Sequence, residues 1–305
     1  RDGRALLLAA ESADAPPSIH RLDLPTRETA PLLPAEPREH EELVLPTLHT
    51  YAAEDGLVLS GWLFRPRAAF GPLPTLVWLH GGPEAQERPV FQPLFQALVM
   101  AGVAVFAPNV RGSAGYGRGF AAADDRERRF AAIPDVRASA EFLVRTGLAD
   151  RDRLGVAGRS YGGYLTLVAL AWFPELFRVG VDVCGMADLH TFYAGTEPWI
   201  ASAAVTKYGD PVTDAELLRA LSPIHRIDRV TAPLLVVHGA NDTNVPLGEA
   251  EQVVAALRER GASPGFLLFE GEGHEVHDRA NKAVFVHEVV GWVTAHLTGA
   301  GERSA

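Results

Sequence analysis

Hydrophobic positions along the chain fall into short continuous runs separated by longer segments of helical period. Residues 75–80, 103–107, 154–158, 179–183, 234–238 and 266–269 are apolar-leaning runs too short for helices, the pattern of strands buried on both faces. Between them, residues 91–100, 135–146, 164–172, 247–260 and 281–297 read as helices. Strands alternating with helices of this length predict an α/β architecture, a largely parallel, doubly wound sheet with both faces covered. Residues 49–53 and 57–64 flank Asp55-Gly56 and predict a hairpin ahead of the first of these strands. Residues 185 to about 214 carry aromatics without a clean period and are expected to cap the site.

The first 45 residues have a different texture. Residues 4–9, after an Asp2-Gly3 turn, and residues 18–24 read as strands, and prolines 16, 17, 25, 31, 34 and 37 punctuate the region. Two or three short strands cannot bury a sheet face by themselves. The chain is therefore divided into a β segment, residues 1–45, and an α/β domain, residues 46–305. With 305 residues and 47% hydrophobic content it can bury a large core without staples. A formal charge of −10 argues against nucleic acid or anionic membrane as a partner. No run approaches the ~18 apolar residues of a membrane helix, and residues 6–10 are too short an apolar stretch for a secretory leader. A cytoplasmic location is expected. The single cysteine, Cys184, excludes an intrachain disulfide and sits in an apolar run, as a core residue would.

In open parallel sheets the working loops lie beyond the carboxyl ends of the strands. Four such ends are polar: His80-Gly81-Gly82-Pro83, Ser160, Asn241-Asp242 and Gly273-His274. Ser160, in Gly158-Arg159-Ser160-Tyr161-Gly162, sits where a strand turns sharply into a helix, the context that gives a G-x-S-x-G match meaning. The glycines remove clashes at the turn, and the helix N-terminus points N–H groups at a developing anion. A hydroxyl needs a base to act as a nucleophile, and an imidazole base needs an acceptor on its other nitrogen. Asn241-Asp242 alone would suit an ordinary turn, but Asp242 follows a buried strand and Val245-Pro246 opens the next helix. His274 is preferred to His277 because Gly271 and Gly273 permit close backbone approach; His238 reads as structural. The order Ser160, Asp242, His274 is the one expected of an α/β-hydrolase. The oxyanion donors are expected to be the amides of Tyr161 and Gly82. The glycine-rich loop at 111–117 lacks the ending of a P-loop, and no H-E-x-x-H or clustered Cys/His spacing points to a metal. No cofactor is expected.

With these motifs assembled, residues 43–297 resemble the catalytic domain of the prolyl oligopeptidase family of serine peptidases, most of all its acylaminoacyl-peptidase and dipeptidyl-peptidase branches. His80-Gly81-Gly82-Pro83, the 109–117 loop, Gly158 to Gly163, Ser222-Pro223, His238-Gly239 with Asp242, and Gly271-Glu272-Gly273-His274 carry the resemblance. It implies an α/β-hydrolase fold and acyl-enzyme hydrolysis of short peptides, releasing an N-acylated amino acid or a dipeptide. It also implies an N-terminal β-propeller, of whose last blade residues 1–45, starting at Arg1, would be the tail. Acylaminoacyl-peptidases often carry an arginine two residues after the triad aspartate; here that position is Asn244, an uncharged donor. Phe192, Tyr193, Trp199 and Asn244 are candidates for the substrate pocket, with cap core as the alternative reading of the aromatics. A carboxylesterase on the same fold and a non-catalytic interaction module are the rival functions, and a homo-oligomer is compatible with either.

Overall fold

A computed structural model of the chain describes residues 3–33 and 43–299. At the N-terminus, β1 (Ala5–Ser12), β2 (Ala15–Asp23) and β3 (Thr29–Pro31) form an antiparallel sheet of their own. The main sheet has eight strands: β4 (Thr47–Ala52), β5 (Val58–Phe64), β6 (Leu73–Leu79), β7 (Ala104–Asn109), β8 (Ala149–Arg159), β9 (Val179–Val183), β10 (Leu234–Gly239) and β11 (Gly265–Phe269). Their order is β11-β10-β9-β8-β6-β7-β5-β4. The pairs from β11 to β7 are parallel, and the β4–β5 hairpin adds antiparallel to β7. This is the α/β-hydrolase architecture that the resemblance implies.

Helices cover both faces. They are α1 (Pro93–Met100), α2 (Arg118–Ala121), α3 (Arg129–Arg145), α4 (Tyr161–Trp172), α5 (Leu189–Gly195), α6 (Pro198–Tyr208), α7 (Ala215–Leu221), α8 (Leu247–Glu259) and α9 (Arg279–Leu297). On one face Phe95 and Leu98 of α1 and Val289 and Val293 of α9 share a core with Leu76 and Val237. On the other, Ile133 of α3, Leu165 and Val168 of α4, and Val253 of α8 share a core with Val77 and Val236. Adjacent residues of one strand thus enter opposite cores, which is why these strands read as continuous apolar runs rather than alternating ones. Each fully buried aliphatic side chain contributes about 1.5–3 kcal/mol. Among the described residues no helix is long and apolar enough to cross a membrane.

Two expectations need correction. Helix α3 begins at Arg129, not at residue 135, so Pro134 lies inside it instead of marking its start. Just ahead of and at that start, Asp124 and Arg129 are fully buried partners. Strand β8 begins at Ala149, which pairs with Leu73 of β6 ahead of the apolar run; a register shift spans the polar residues 150–153, and pairing resumes at Leu154 opposite Thr75. The aperiodic 185–214 region contains α5 and α6, with α7 just beyond it. Only three residues of α6 are buried, so it shows no apolar stripe of helical period.

The N-terminal sheet exposes Leu6, Leu7 and Ile19. Ala13, between β1 and β2, packs into the core beside α1, and the Gln96 amide of α1 donates to Ala13 O at 2.8 Å and to Val44 O, ahead of β4, at 2.9 Å. Arg1, Asp2, Pro34 and Pro37 lie outside the described residues.

Candidate active site

Ser160 occupies the step from β8 into α4 with φ +59° and ψ −118°, a backbone conformation strongly disfavoured for a residue bearing a Cβ. Its N–H donates to Val183 O (2.8 Å), and its carbonyl accepts from Tyr164 N (2.9 Å). The turn closes because Gly158 and Gly162 leave room: a Cβ on Gly158 would lie 2.6 Å from Leu79 O. Holding Ser160 at this angle lifts its side chain off the end of the sheet.

Asp242 lies in the loop after β10 with its side chain fully buried. Its Oδ1 accepts the N–H groups of Asn244 and Val245, both at 2.9 Å, which fixes the carboxylate plane. Oδ2 then faces His274, in the loop after β11, and accepts its Nδ1–H at 2.7 Å. On the other side of the ring, Nε2 lies 3.1 Å from Ser160 Oγ, so the serine hydroxyl donates to it. The three expected side chains form one hydrogen-bonded chain assembled from three loops. His277 instead gives its backbone N–H to Glu272 (2.8 Å). His238 is buried, donates Nε2–H to Val245 O (2.9 Å), and is held neutral by desolvation, which lowers its pKa.

The histidine loop has two supports that motif reading did not assign. Glu272 accepts from His277 N, Asp278 N and Asn281 Nδ2 at 2.8–2.9 Å, closing the loop onto the start of α9. Arg159, next to the nucleophile, reaches across to donate to His274 O at 2.7 Å and pairs with Glu275 at 3.2 Å. The glycines around Glu272 marked the loop, whereas nothing in the sequence marked Arg159 as more than the variable position of its motif.

The two expected oxyanion donors flank Ser160. Tyr161 is the first residue of α4, so its N–H has no intrahelical acceptor. Gly82, at φ +128°, lines the same cavity as Ser160 and His274. Its turn is braced by His80, with Nδ1 2.6 Å from Gly81 O and Nε2 2.8 Å from Ser113 Oγ. Burial lowers the His80 pKa and keeps this ring neutral. Beneath Tyr161 lies a buried ionic hub. Arg129 donates to the Tyr161 hydroxyl (2.7 Å), pairs with Asp124 (3.1 Å), and sits 4.4 Å from the Tyr208 ring centroid. Lys207 of α6 joins the hub through Asp124 (3.3 Å) and also pairs with Asp125 (2.7 Å) and Glu84 (3.0 Å), tying the cap to the turn that bears Gly82.

A cavity of about 650 Å³ opens at Ser160 and His274. Phe192, Trp199 and Asn244 line it, as expected, together with Met186, Ile200 and Tyr208. Tyr193 does not: one residue on from Phe192 along α5, it is rotated by about 100° and donates its hydroxyl to Gly209 O (2.9 Å). On the other side of Ser160 a cleft of about 380 Å³ is lined by Gly81, Glu87 and Arg159. Burial pushes the Glu87 carboxyl up to about 7. Arg111 of the glycine-rich loop faces away from both, paired to Asp135 and Asp55 at 2.8 Å.

The model of the prolyl oligopeptidase family matches residues 89–300. Dipeptidyl aminopeptidase BIII of Pseudoxanthomonas mexicana is 31% identical over 315 residues, covering 99% of this chain and 46% of that protein. Among solved structures, a puromycin-hydrolyzing peptidase of Mycobacterium tuberculosis aligns with a TM-score of 0.90 at 25% identity, covering 97% of this chain and 46% of that one. An acylaminoacyl peptidase of Pyrococcus horikoshii aligns with a TM-score of 0.79 at 28% identity over 88% of this chain and 44% of its own. The chain spans less than half the length of each of these relatives.

Proposed function

This chain belongs to the prolyl oligopeptidase family, and from that premise we propose that it is a serine peptidase acting on short peptides through an acyl-enzyme. The observation that carries the reading is the continuous chain Ser160 Oγ to His274 to Asp242 opening onto the cavity. As Oγ attacks the scissile carbonyl, Nε2 of His274 takes its proton, and Asp242 stabilises the imidazolium and fixes its tautomer. The amides of Tyr161 and Gly82 hold the oxyanion. The proton then passes from His274 to the leaving amine, and water repeats the sequence on the acyl-enzyme. The 650 Å³ cavity suits the acyl half of the substrate, with Phe192 and Trp199 offering apolar contact and Asn244 a side-chain donor. The polar cleft around Glu87 and Arg159 suits the departing half.

The released fragment is an N-acylated amino acid or a dipeptide, in keeping with the names of the relatives. We assign β1–β3 to the end of an N-terminal propeller, supported by its separation from the main sheet and its exposed leucines. The cytoplasm suits a chain whose single cysteine makes no intrachain disulfide. Comparing kcat/KM for N-acetyl-alanine anilide with that for a short-chain aryl ester tests the activity. Amide turnover that disappears in Ser160→Ala is expected; ester turnover alone would overturn the peptidase reading in favour of an esterase.

A further inference from the structure

The back of the histidine is as notable as its front. A second cavity, of about 710 Å³, lies on the side of His274 away from the acyl pocket, with Cys184, His238, Val286 and Phe269 in its wall. Cys184 follows β9 with φ +43°, pinned by its N–H to Val237 O (2.8 Å), and its Sγ lies 3.9 Å from His274 O. The ligand atoms of Cys184, Asp242 and His274 all lie within 4.8 Å of one another. His238 in the same wall has a buried Nδ1 with no hydrogen-bond partner among the described residues.

We propose that Cys184 Sγ, Asp242 Oδ2 and His274 Nδ1 form an inhibitory site for one soft divalent cation of the zinc or cadmium class, reached through this rear cavity. The inference rests on the reading of Ser160, Asp242 and His274 as a working triad. Sulfur, carboxylate oxygen and imidazole are the donor set such ions prefer, and a fourth position is left for water from the cavity. Zinc bonds of about 2.0–2.3 Å set tetrahedral ligand atoms roughly 3.3–3.8 Å apart, so Cys184 Sγ must close by about 1 Å while Asp242 Oδ2 and His274 Nδ1, 2.7 Å apart in their hydrogen bond, must open by about 0.6 Å as the bridging proton leaves. Thiolate plus carboxylate cancel the charge of the ion, which makes its burial tolerable.

Coordination also accounts for inhibition. Burial pushes the Cys184 thiol up to about 12, so it is protonated until a metal displaces that proton to solvent. The Nδ1 proton of neutral His274 moves to Nε2 as Nδ1 takes the metal. An Nε2–H cannot accept the proton of Ser160, so the base is lost although the serine is untouched. Sequence spacing could not reveal the site, because its ligands come from three loops.

Cadmium chloride titration tests this in the full-length protein, read two ways. The ultraviolet cadmium–thiolate absorption should saturate at one ion per chain, and labelling of Ser160 by a fluorophosphonate should slow at least tenfold in parallel, recovering with EDTA. Cys184→Ala should label normally without metal and lose both responses. Absence of the absorption, absorption with undiminished labelling, or equal inhibition of Cys184→Ala would each overturn the proposal. If Ser160 fails to label without cadmium, the peptidase reading fails instead, and the absorption alone decides the metal site.

Discussion

Replacing Gly162 by alanine tests the local geometry that turns a strand end into a nucleophile. Gly162 stands in the first turn of α4, directly against the end of β6. A Cβ there would lie 2.5 Å from the Leu79 carbonyl carbon and 2.9 Å from His80 O, with Leu79 O closer still. These obstacles are backbone of a central strand and cannot rotate aside. Overpacking a core costs about 1–3 kcal/mol, and an unyielding obstacle places Gly162→Ala at the upper end, about 3 kcal/mol. On the scale for large domains, 2–4 °C per kcal/mol, Tm should fall by roughly 6–12 °C. Gly291→Ala is the control: it lies within α9 with nothing within 4 Å of the new Cβ. A mid-helix glycine is less stable than alanine by roughly 0.5–1 kcal/mol, so this variant should melt slightly higher. Calorimetry and fluorophosphonate labelling of Ser160 read the two consequences. Gly162→Ala should also label at least tenfold more slowly, while Gly291→Ala keeps the parent rate. Unchanged melting and labelling in Gly162→Ala would refute the close-approach argument.

Other consequences can be measured separately. Tyr161→Phe leaves Arg129 and Asp124 one partner short and should destabilise the fold by about 1.5–3 kcal/mol in urea, with Ser160 still labelled because the expected oxyanion donor is the backbone amide. Asn244→Ala removes one uncharged donor from the acyl cavity; kcat/KM should fall roughly threefold to tenfold, mostly through KM, and no change would remove Asn244 from the pocket. Burial pushes the Asp182 carboxyl from 3.8 up to about 7, and its Oδ2 has no hydrogen-bond partner among the described residues. The folded chain therefore keeps a proton that the unfolded chain loses near pH 4, so this group's contribution to stability falls as pH rises from about 4 to 7. Asp182→Asn lacks that slope, and the stability difference should move in its favour by more than about 1 kcal/mol between pH 4 and pH 8; parallel curves would contradict the buried-acid reading.

Most of the fold was legible because buried parallel strands leave unbroken apolar runs, as in Val179–Val183, and glycine marks the turns that demand close approach. What stayed hidden depends on long-range pairing. Arg129 and Asp124 neutralise each other in the interior, a pairing that no local pattern shows, and the true start of α3 was missed with them. The cap helices carry few buried residues, so no period announced α6. Phe192 and Tyr193 were indistinguishable by composition; only the helical rotation between them sends one to the cavity and the other to Gly209. Arg159 was visible as a residue but not as a brace, since its partner His274 O is a backbone atom of a distant loop.

The central claim is that the Ser160 hydroxyl is activated through His274. Intact-mass analysis of the full-length protein after fluorophosphonate treatment reads it directly. A single adduct, mapped to Ser160 and reduced by orders of magnitude in His274→Ala, is the predicted result; no adduct, or one that forms as fast without the imidazole, would contradict it.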